Sequence, residues 1–202
     1  MVTAGRTLML RPMLRPRCDT DPVTEPAEPT DMPALAARLG AASAAIEGLR
    51  ADVEAGDPWP LSAAYGSEPE SDWGPKEVLA HVAEMLDYWQ AEIARILAGG
   101  QEPVPFGRVS TDPARIERIG RDRLQPTSEL FDRLAAAASG LLGRMQTLAP
   151  SELGRRGLHP RLGEMTVDRI VERFLVSHLE EHVRQLREIL DRAGTTGPGE
   201  AT

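Results

Sequence analysis

Hydrophobic residues recur every three or four positions along four stretches of the chain, and this spacing predicts four amphipathic helices. Their predicted bounds are 31–56, 74–98, 112–145 with an interruption near Pro126, and 166–192. Asp31 and Thr166 stand at N-cap positions, and a proline follows Gly74 and Asp112 in the first helical turn. No segment shows the period-two alternation that is typical of a strand. The pattern therefore predicts an all-α fold, a four-helix bundle.

The loops predicted between these helices, at 57–73, 99–112 and 149–165, are longer than the two to eight residues usual in helical bundles. A loop of fourteen residues extends to about 46 Å, whereas a helix of 25 residues is about 37 Å long. Such a loop is long enough to run back along a helix. Consecutive helices of the bundle therefore need not be antiparallel.

Residues 1–31 differ from the rest of the chain because they contain five prolines and no sustained periodicity. Their first seventeen residues carry four arginines and no acid, and the remainder carries five acids and no base. We predict a disordered N-terminal tail, or an over-long gene start with Met32 as the alternative start. The bundle is expected at 32–193 and a frayed C-terminus at 194–202. Because Cys18 lies in the tail, it is not proposed as a nucleophile.

The amino-acid composition excludes several classes of protein. The 202 residues include one cysteine, which excludes a disulfide framework and a cysteine-rich zinc site. No apolar run approaches the roughly 20 residues that span a bilayer, so we expect a soluble, cytoplasmic protein with no membrane partner. The net charge of −8 argues against a general nucleic-acid binder, which needs a basic surface.

Two of the four histidines lie one turn apart on the last predicted helix. With Val167 at zero and 100° per residue, His178 falls at about 20° and His182 at about 60°, within the apolar stripe. Both imidazoles are therefore expected to point into the bundle, where they can bind one metal ion together. The alternative is that each ring bonds to a neighbouring helix or to a buried water.

His81 lies one turn into the second predicted helix, at the border of its apolar stripe. Alone, such a histidine is more often a surface or partner-bonded residue, but the pair on the last helix makes it the expected third ligand. Three neutral imidazoles leave coordination positions open, as in a reactive metal site. His159 precedes a proline in a loop, and we interpret it as structural.

Two segments resemble the DinB-like superfamily, which includes the YfiT-like proteins and the metal-binding domain of mycothiol-dependent maleylpyruvate isomerases. Residues 73–81, Trp-Gly-Pro-Lys-Glu-Val-Leu-Ala-His, are similar to the family's Trp-Ser-x-x-Glu-x-Leu-x-His motif. Residues 159–166, His-Pro-Arg-Leu-Gly-Glu-Met-Thr, precede the helix with the histidine pair. The sequence departs from the family at Gly74, where a serine is usual, and at Pro126. The resemblance covers about residues 33–192.

This resemblance implies an up-down-down-up bundle in which His81, His178 and His182 hold a divalent metal, zinc or nickel. It also implies a metal-dependent S-transferase or isomerase that uses a low-molecular-weight thiol of the mycothiol type, so the expected partners are a small thiol and an electrophilic substrate. A metal-dependent hydrolase and a non-catalytic metal-binding or interaction bundle are the alternatives, and a homodimer is left open. Glu84 and Glu181 are candidates for a base or for carboxylates that orient the ligands, with solvated surface charges as the alternative.

Overall fold

The computed structural model describes residues 31–63, 65 and 70–195. The predicted tail lies outside the described residues except for Asp31, and the predicted frayed C-terminus lies outside them except for residues 194 and 195. Within the described part of the chain, no helix is both long enough and apolar enough to cross a membrane.

Eight α-helices are present among the described residues, and they account for all four predicted helices. Their bounds are α1 (Met32–Glu47), α2 (Arg50–Ala55), α3 (Pro75–Ala98), α4 (Pro113–Asp122), α5 (Thr127–Thr147), α6 (Pro150–Leu153), α7 (Val167–Val171) and α8 (His178–Thr195). A 3₁₀ turn, Glu70–Asp72, precedes α3, and a π-helical stretch, Glu172–Ser177, joins α7 to α8.

Proline and aspartate determine where several helices begin. Pro75 and Pro113 occupy the first helical position of α3 and α4, where the missing N–H costs no hydrogen bond. The Asp112 side chain accepts a hydrogen bond from the Arg115 N–H at 3.0 Å. Pro126 stands at the N-cap of α5 and separates it from α4, which confirms the predicted interruption.

The long helices pack in the cyclic order α1, α5, α3, α8, so consecutive helices α1 and α3 are not neighbours. Arg50, just after α1, contacts Asp132 near the start of α5, which makes those two helices antiparallel. Gln90 on α3 meets Ala137 on α5, and Glu77 at the start of α3 meets Arg123 just before α5, so α3 and α5 are parallel.

The last helix is antiparallel to α3. Trp89 of α3 stacks on Phe174 with ring centroids 4.2 Å apart, while His81, two turns earlier in α3, meets His182 later in the chain. The directions are therefore up, down, down and up, as predicted. The apolar stripes of the long helices close one core, which includes Leu39, Ile46, Leu79, Leu86, Ile96, Phe131, Leu141, Ile170 and Leu186.

A small three-stranded sheet corrects the prediction that the chain has no strands. β1 (Val104–Pro105) pairs in parallel with β2 (Arg156–His159), which pairs antiparallel with β3 (Gly163–Thr166). These strands lie in segments that the sequence predicts as loops. They have two to four residues, and the buried positions of β2 are Gly157 and His159, so no alternation of apolar side chains marks them.

The π-helical stretch changes the face that α8 turns to the core. On a continuous wheel, the buried residues Val167, Ile170 and Val171 centre near 0°, whereas Leu179 and the other buried residues of α8 centre about 100° away. A displacement of about 100° is one residue of helix rotation, as expected where one residue is inserted into the i→i+4 ladder. A helical wheel that treats residues 166–192 as one regular helix therefore misplaces the centre of the apolar stripe of α8.

Candidate metal centre

Glu77 anchors the start of α3 and with it the helix that carries His81. The Glu77 side chain is fully buried and its Oε2 accepts the Gly74 N–H at 3.1 Å. Its Oε1 accepts the Ser62 N–H and an Arg123 Nη1–H, both at 2.9 Å. The glutamate in the sequence motif thus holds the loop before α3 to the helix. His81 follows one turn later with 4% of its surface exposed.

The three predicted ligands, His81, His178 and His182, meet in the structure through their Nε2 atoms. His178 Nε2 lies 3.0 Å from His182 Nε2 and 3.2 Å from His81 Nε2. His182 is buried, whereas the His178 side chain is 30% exposed because it lies at the border of the displaced stripe. The expectation that both rings point into the core is therefore correct for His182 and only partly correct for His178, which leaves the cluster open on one side.

Gln185 determines which nitrogen of His182 carries the proton. The Gln185 Nε2 amide donates to the Glu70 carbonyl oxygen at 2.6 Å, so its Oε1 faces His182 Nδ1 at 2.8 Å. An amide oxygen is only an acceptor, hence Nδ1 of His182 carries the hydrogen and Nε2 presents its lone pair. The sequence-based interpretation missed Gln185, although its position three residues after His182 placed it on the same helix face.

Glu70 is a fourth member of the cluster. It is not among the predicted site residues, because it lies in a segment that was predicted as a loop. One ligand atom from each of Glu70, His81, His178 and His182 lies within 4.8 Å of the other three. The Glu70 Oε1 also accepts a hydrogen bond from Arg115 Nη2 at 2.6 Å. Arg115 therefore holds the 3₁₀ turn and its carboxylate beside the imidazoles.

Burial keeps the imidazoles neutral. It lowers the pKa of His81 well below the ordinary value of 6.5, and the two neighbouring imidazoles lower it further. Burial is also the main cause that lowers the pKa of His178 to about 3 and the pKa of His182 below its ordinary value. Neutral imidazole is the form that binds a metal ion.

The donor set fits a divalent cation. Since Nε2 of His182 has no proton, His178 Nε2 can form a proper hydrogen bond with at most one of its two imidazole neighbours at a time. Nitrogens bound to one tetrahedral zinc at 2.0–2.1 Å are about 3.3 Å apart, close to the 3.0 and 3.2 Å found here. Among the described residues, His81 Nδ1 is buried without a hydrogen-bond partner. A cation at the Nε2 atoms would satisfy lone pairs that the protein leaves facing one another.

The remaining predicted residues lie around this cluster without joining it. Glu84 is buried and pairs with Arg108, while Glu181 is 59% exposed and its carboxylate is 3.7 Å from His178 Nδ1. His159 is buried in the small sheet, where its ring stacks on Phe174 at 5.5 Å and its Nδ1 accepts two backbone N–H groups. The structure thus places His159 in a packing role, as predicted.

The fold and the cluster together define a helical bundle with a histidine-rich candidate metal centre. The family model of the DinB superfamily matches residues 60–186, and the chain belongs to that superfamily. The solved structure of YfiT from Bacillus subtilis, described as a probable metal-dependent hydrolase with an unusual four-helix bundle topology, is similar in fold. The TM-score is 0.65 at 18% identity, over 84% of this chain and 93% of that one. A comparison with curated proteins finds no significant match.

Proposed function

We propose that His81, His178 and His182 hold a divalent metal ion, zinc or nickel, and that the protein is a metal-dependent thiol S-transferase or isomerase. The observation that carries the metal assignment is the convergence of three neutral Nε2 atoms from two helices. Membership of the DinB superfamily and the description of YfiT as a probable metal-dependent hydrolase support a metal-dependent function.

The surroundings of the cluster suit a site that admits a small molecule. Trp73 is buried against the edge of the His81 ring, with centroids 5.3 Å apart, and closes one side. The partly exposed ring of His178 leaves another side open. Glu70 is paired with Arg115, so the carboxylate beside the imidazoles is fixed in place. The protein thus offers a rigid set of ligands with one accessible face.

Thiol chemistry is favoured because it requires no protein base. A bound divalent metal deprotonates a coordinating thiol at neutral pH and so supplies a nucleophile. Glu84 is engaged by Arg108, and Glu181 is largely solvated, so neither carboxylate is placed as a base at the Nε2 atoms. The only cysteine of the chain, Cys18, lies outside the described residues. The proposed partners are therefore a low-molecular-weight thiol of the mycothiol type and an electrophilic small molecule.

Hydrolysis by metal-bound water is the second candidate, because the structurally similar YfiT is described as a probable metal-dependent hydrolase. The same three imidazoles serve both reactions, and the accessible face near His178 admits water as well as a thiol. The two candidates differ in whether turnover of an electrophile requires an added thiol.

Metal analysis of protein purified without a histidine tag tests the metal assignment. We expect about one equivalent of zinc or nickel after reconstitution, and less than about 0.2 equivalents in His178→Ala. A wild-type occupancy below about 0.2 equivalents, unchanged by the substitution, would refute the site. His159→Ala is the matched control, since it removes a buried histidine that lies outside the cluster.

Activity is tested next with a panel of electrophiles, with and without a thiol and with and without a chelator. Turnover that needs both the thiol and the metal supports the transferase or isomerase. Turnover that needs only the metal supports the hydrolase. Stoichiometric metal without turnover on any substrate of the panel would favour a non-catalytic metal-binding or interaction bundle.

A further inference from the structure

Arg108 is a largely buried arginine whose guanidinium is only partly paired within the protein. Its side chain is 12% exposed, its Nη2 donates to Glu84, and its guanidinium carbon lies 3.7 Å from the centroid of the Tyr88 ring. The remaining guanidinium N–H groups form no hydrogen bond with the described residues, and none of their nitrogens is among the fully buried polar atoms that lack a partner. These N–H groups therefore reach solvent.

Arg115, which pairs with Glu70 of the cluster, differs from Arg108. Arg115 is 7% exposed and donates to the Ser110 carbonyl oxygen at 3.0 Å and to Glu70 at 2.6 Å. Its guanidinium also faces the Trp73 ring, so the contacts of Arg115 hold the loop and the 3₁₀ turn in place. Arg108 keeps an unused part of its planar donor set, which matches the two oxygens of a carboxylate.

The backbone beside Arg108 is held rigidly. The Gly107 N–H donates to Glu92 Oε2 at 2.7 Å, and the Phe106 N–H donates to the Leu158 carbonyl at 3.1 Å. Gly107 has a φ of 85°, and a Cβ there would lie 2.4 Å from the His159 ring, so only glycine fits. The loop thus presents the guanidinium from a fixed position, which reduces the entropy lost on binding a ligand.

Arg108 packs on the face of α3 that carries His81. Glu84 and Tyr88, which it contacts, follow His81 on the same face of α3 by one and two turns. Glu84 is paired with Arg108 itself, and Glu70 is paired with Arg115.

We propose that Arg108 binds a carboxylate of the substrate beside the three histidines, so that the protein selects small organic acids among thiols or electrophiles. This inference rests on the proposed function, because the histidine cluster is taken as the reacting centre. Glu84 holds the guanidinium in place through one nitrogen, and the free N–H groups donate hydrogen bonds to the ligand's carboxylate.

Two thiols of equal chain length test this proposal. The protein is loaded with Co²⁺ and titrated with 3-mercaptopropionate and with the neutral 3-mercaptopropan-1-ol, and each Kd is measured from the thiolate-to-cobalt charge-transfer absorption. We expect the carboxylate probe to bind about tenfold more tightly, in line with a charge-assisted hydrogen bond. Arg108→Gln is expected to reduce this preference to about one while the Kd of the neutral probe stays unchanged.

Two further variants show whether an altered Kd in Arg108→Gln results from misfolding. Arg108→Lys keeps the charge that pairs with Glu84 but lacks the planar fork, so we expect it to fold and to retain only part of the preference. Arg50→Gln is the matched control, since Arg50 also pairs with carboxylates and lies 4.9 Å from an aromatic ring, Phe131, away from the cluster. An equal Kd for the two probes in the wild type, or an undiminished preference in Arg108→Gln, would overturn the proposal.

A metal-free measurement separates this inference from the proposed function. Propionate is titrated against chelator-treated protein while the Nε–H signals of the arginines are followed by NMR. We expect a saturable shift of the Arg108 signal and no such shift of Arg50. This result would stand even if neither thiol bound the cobalt, in which case the thiol function fails and the anion site remains. Equal, non-saturable shifts at both arginines would overturn the anion site.

Discussion

Two buried polar clusters lie one turn apart on α3 and differ in whether their polar atoms find hydrogen-bond partners within the protein. The Glu77 carboxylate accepts hydrogen bonds from Ser62, Gly74 and Arg123, so its charge is matched within the protein. At His81, one ring nitrogen has no hydrogen-bond partner among the described residues and the other faces the Nε2 of His178. The first cluster stabilises the fold, whereas the second leaves lone pairs available to a ligand.

Burial of a polar group therefore does not identify its role. Both side chains are buried on the same helix, and both belong to the same sequence motif. Their partners distinguish them: Glu77 faces two backbone N–H groups and a cation, whereas His81 faces two neutral rings. Substitutions at the two positions should therefore affect different properties of the protein.

Glu77→Ala should give the largest loss of stability. Removing the carboxylate leaves the largely buried guanidinium of Arg123 with the Ser62 carbonyl oxygen and the Tyr65 ring but without its carboxylate partner. It also exposes the first turn of α3 to fraying, and we expect a total cost of about 3–5 kcal/mol. Urea unfolding of metal-free protein measures this free energy, while the folded fraction should still bind about one equivalent of zinc. Glu181→Gln, which changes an exposed carboxylate, serves as the control and should stay within about 0.5 kcal/mol. A cost for Glu77→Ala below about 1 kcal/mol would contradict the comparison.

His81→Leu should give the opposite result. It removes a buried nitrogen that has no partner and replaces the ring with an apolar side chain, so the unfolding free energy of the metal-free protein should change by less than about 1 kcal/mol. The remaining pair, His178 and His182, can then form one proper hydrogen bond. Metal affinity, measured by competition with a chromophoric chelator, should fall more than about 100-fold, beyond the range of outer-sphere substitutions. Retained affinity would show that His81 is not a ligand.

Gln185→Ala tests the orientation of His182 with a smaller expected effect. Without the amide oxygen, the proton of His182 is no longer held on Nδ1, so we expect a 10- to 100-fold loss of metal affinity, about 1.4–2.7 kcal/mol. Gln90→Ala is a matched control, because the Gln90 amide also donates to backbone carbonyls, those of Leu86 and Ala137. Equal metal affinity in the two variants would show that Gln185 only ties the 3₁₀ turn to α8.

The sequence predicted the parts of this site that depend on helix periodicity. The four long helices and the interruption at Pro126 follow from apolar spacing and from the missing N–H of proline. The spacing of four between His178 and His182 placed their rings on one helix face. Those features are local, so neighbouring residues in the chain are sufficient to determine them.

The parts that were missed depend on contacts between distant segments. Glu70 reaches the cluster because Arg115, 45 positions later, holds its turn. The π-helical stretch was not predicted, although the shift of the apolar stripe between Val171 and Leu179 was a visible sign of it. Strand β1 pairs with β2 across about fifty residues, from Val104 to Gly157, whereas β2 and β3 form a local hairpin whose short strands have no apolar alternation.

The pH dependence of stability tests whether the imidazoles are neutral in the folded protein. Burial lowers the pKa of His81, His182 and His159, and lowers that of His178 to about 3, whereas all four titrate near 6.5 when unfolded. Below pH 6.5 the unfolded chain therefore binds more protons than the folded one, and the unfolding free energy falls as the pH falls. The stability is fully present above about pH 6.5 and is lost progressively toward pH 4.5.

Each buried histidine should contribute a slope of up to about 1.4 kcal/mol per pH unit in this window, most of which lies above the ordinary carboxylate pKa values of about 4. Urea unfolding of chelator-treated protein at several pH values between 7 and 4.5 measures the total slope. In His81→Leu the unfolded chain has one histidine fewer to protonate. The slope of its unfolding free energy against pH should therefore be shallower by the contribution of one histidine. Because Glu77→Ala leaves the imidazoles in place, its slope should match the wild type. Identical slopes in the wild type and His81→Leu would mean that His81 binds its proton as readily in the folded state as in the unfolded chain. In that case His81 would not be held neutral by the fold, and a neutral imidazole could not explain how it differs from Glu77.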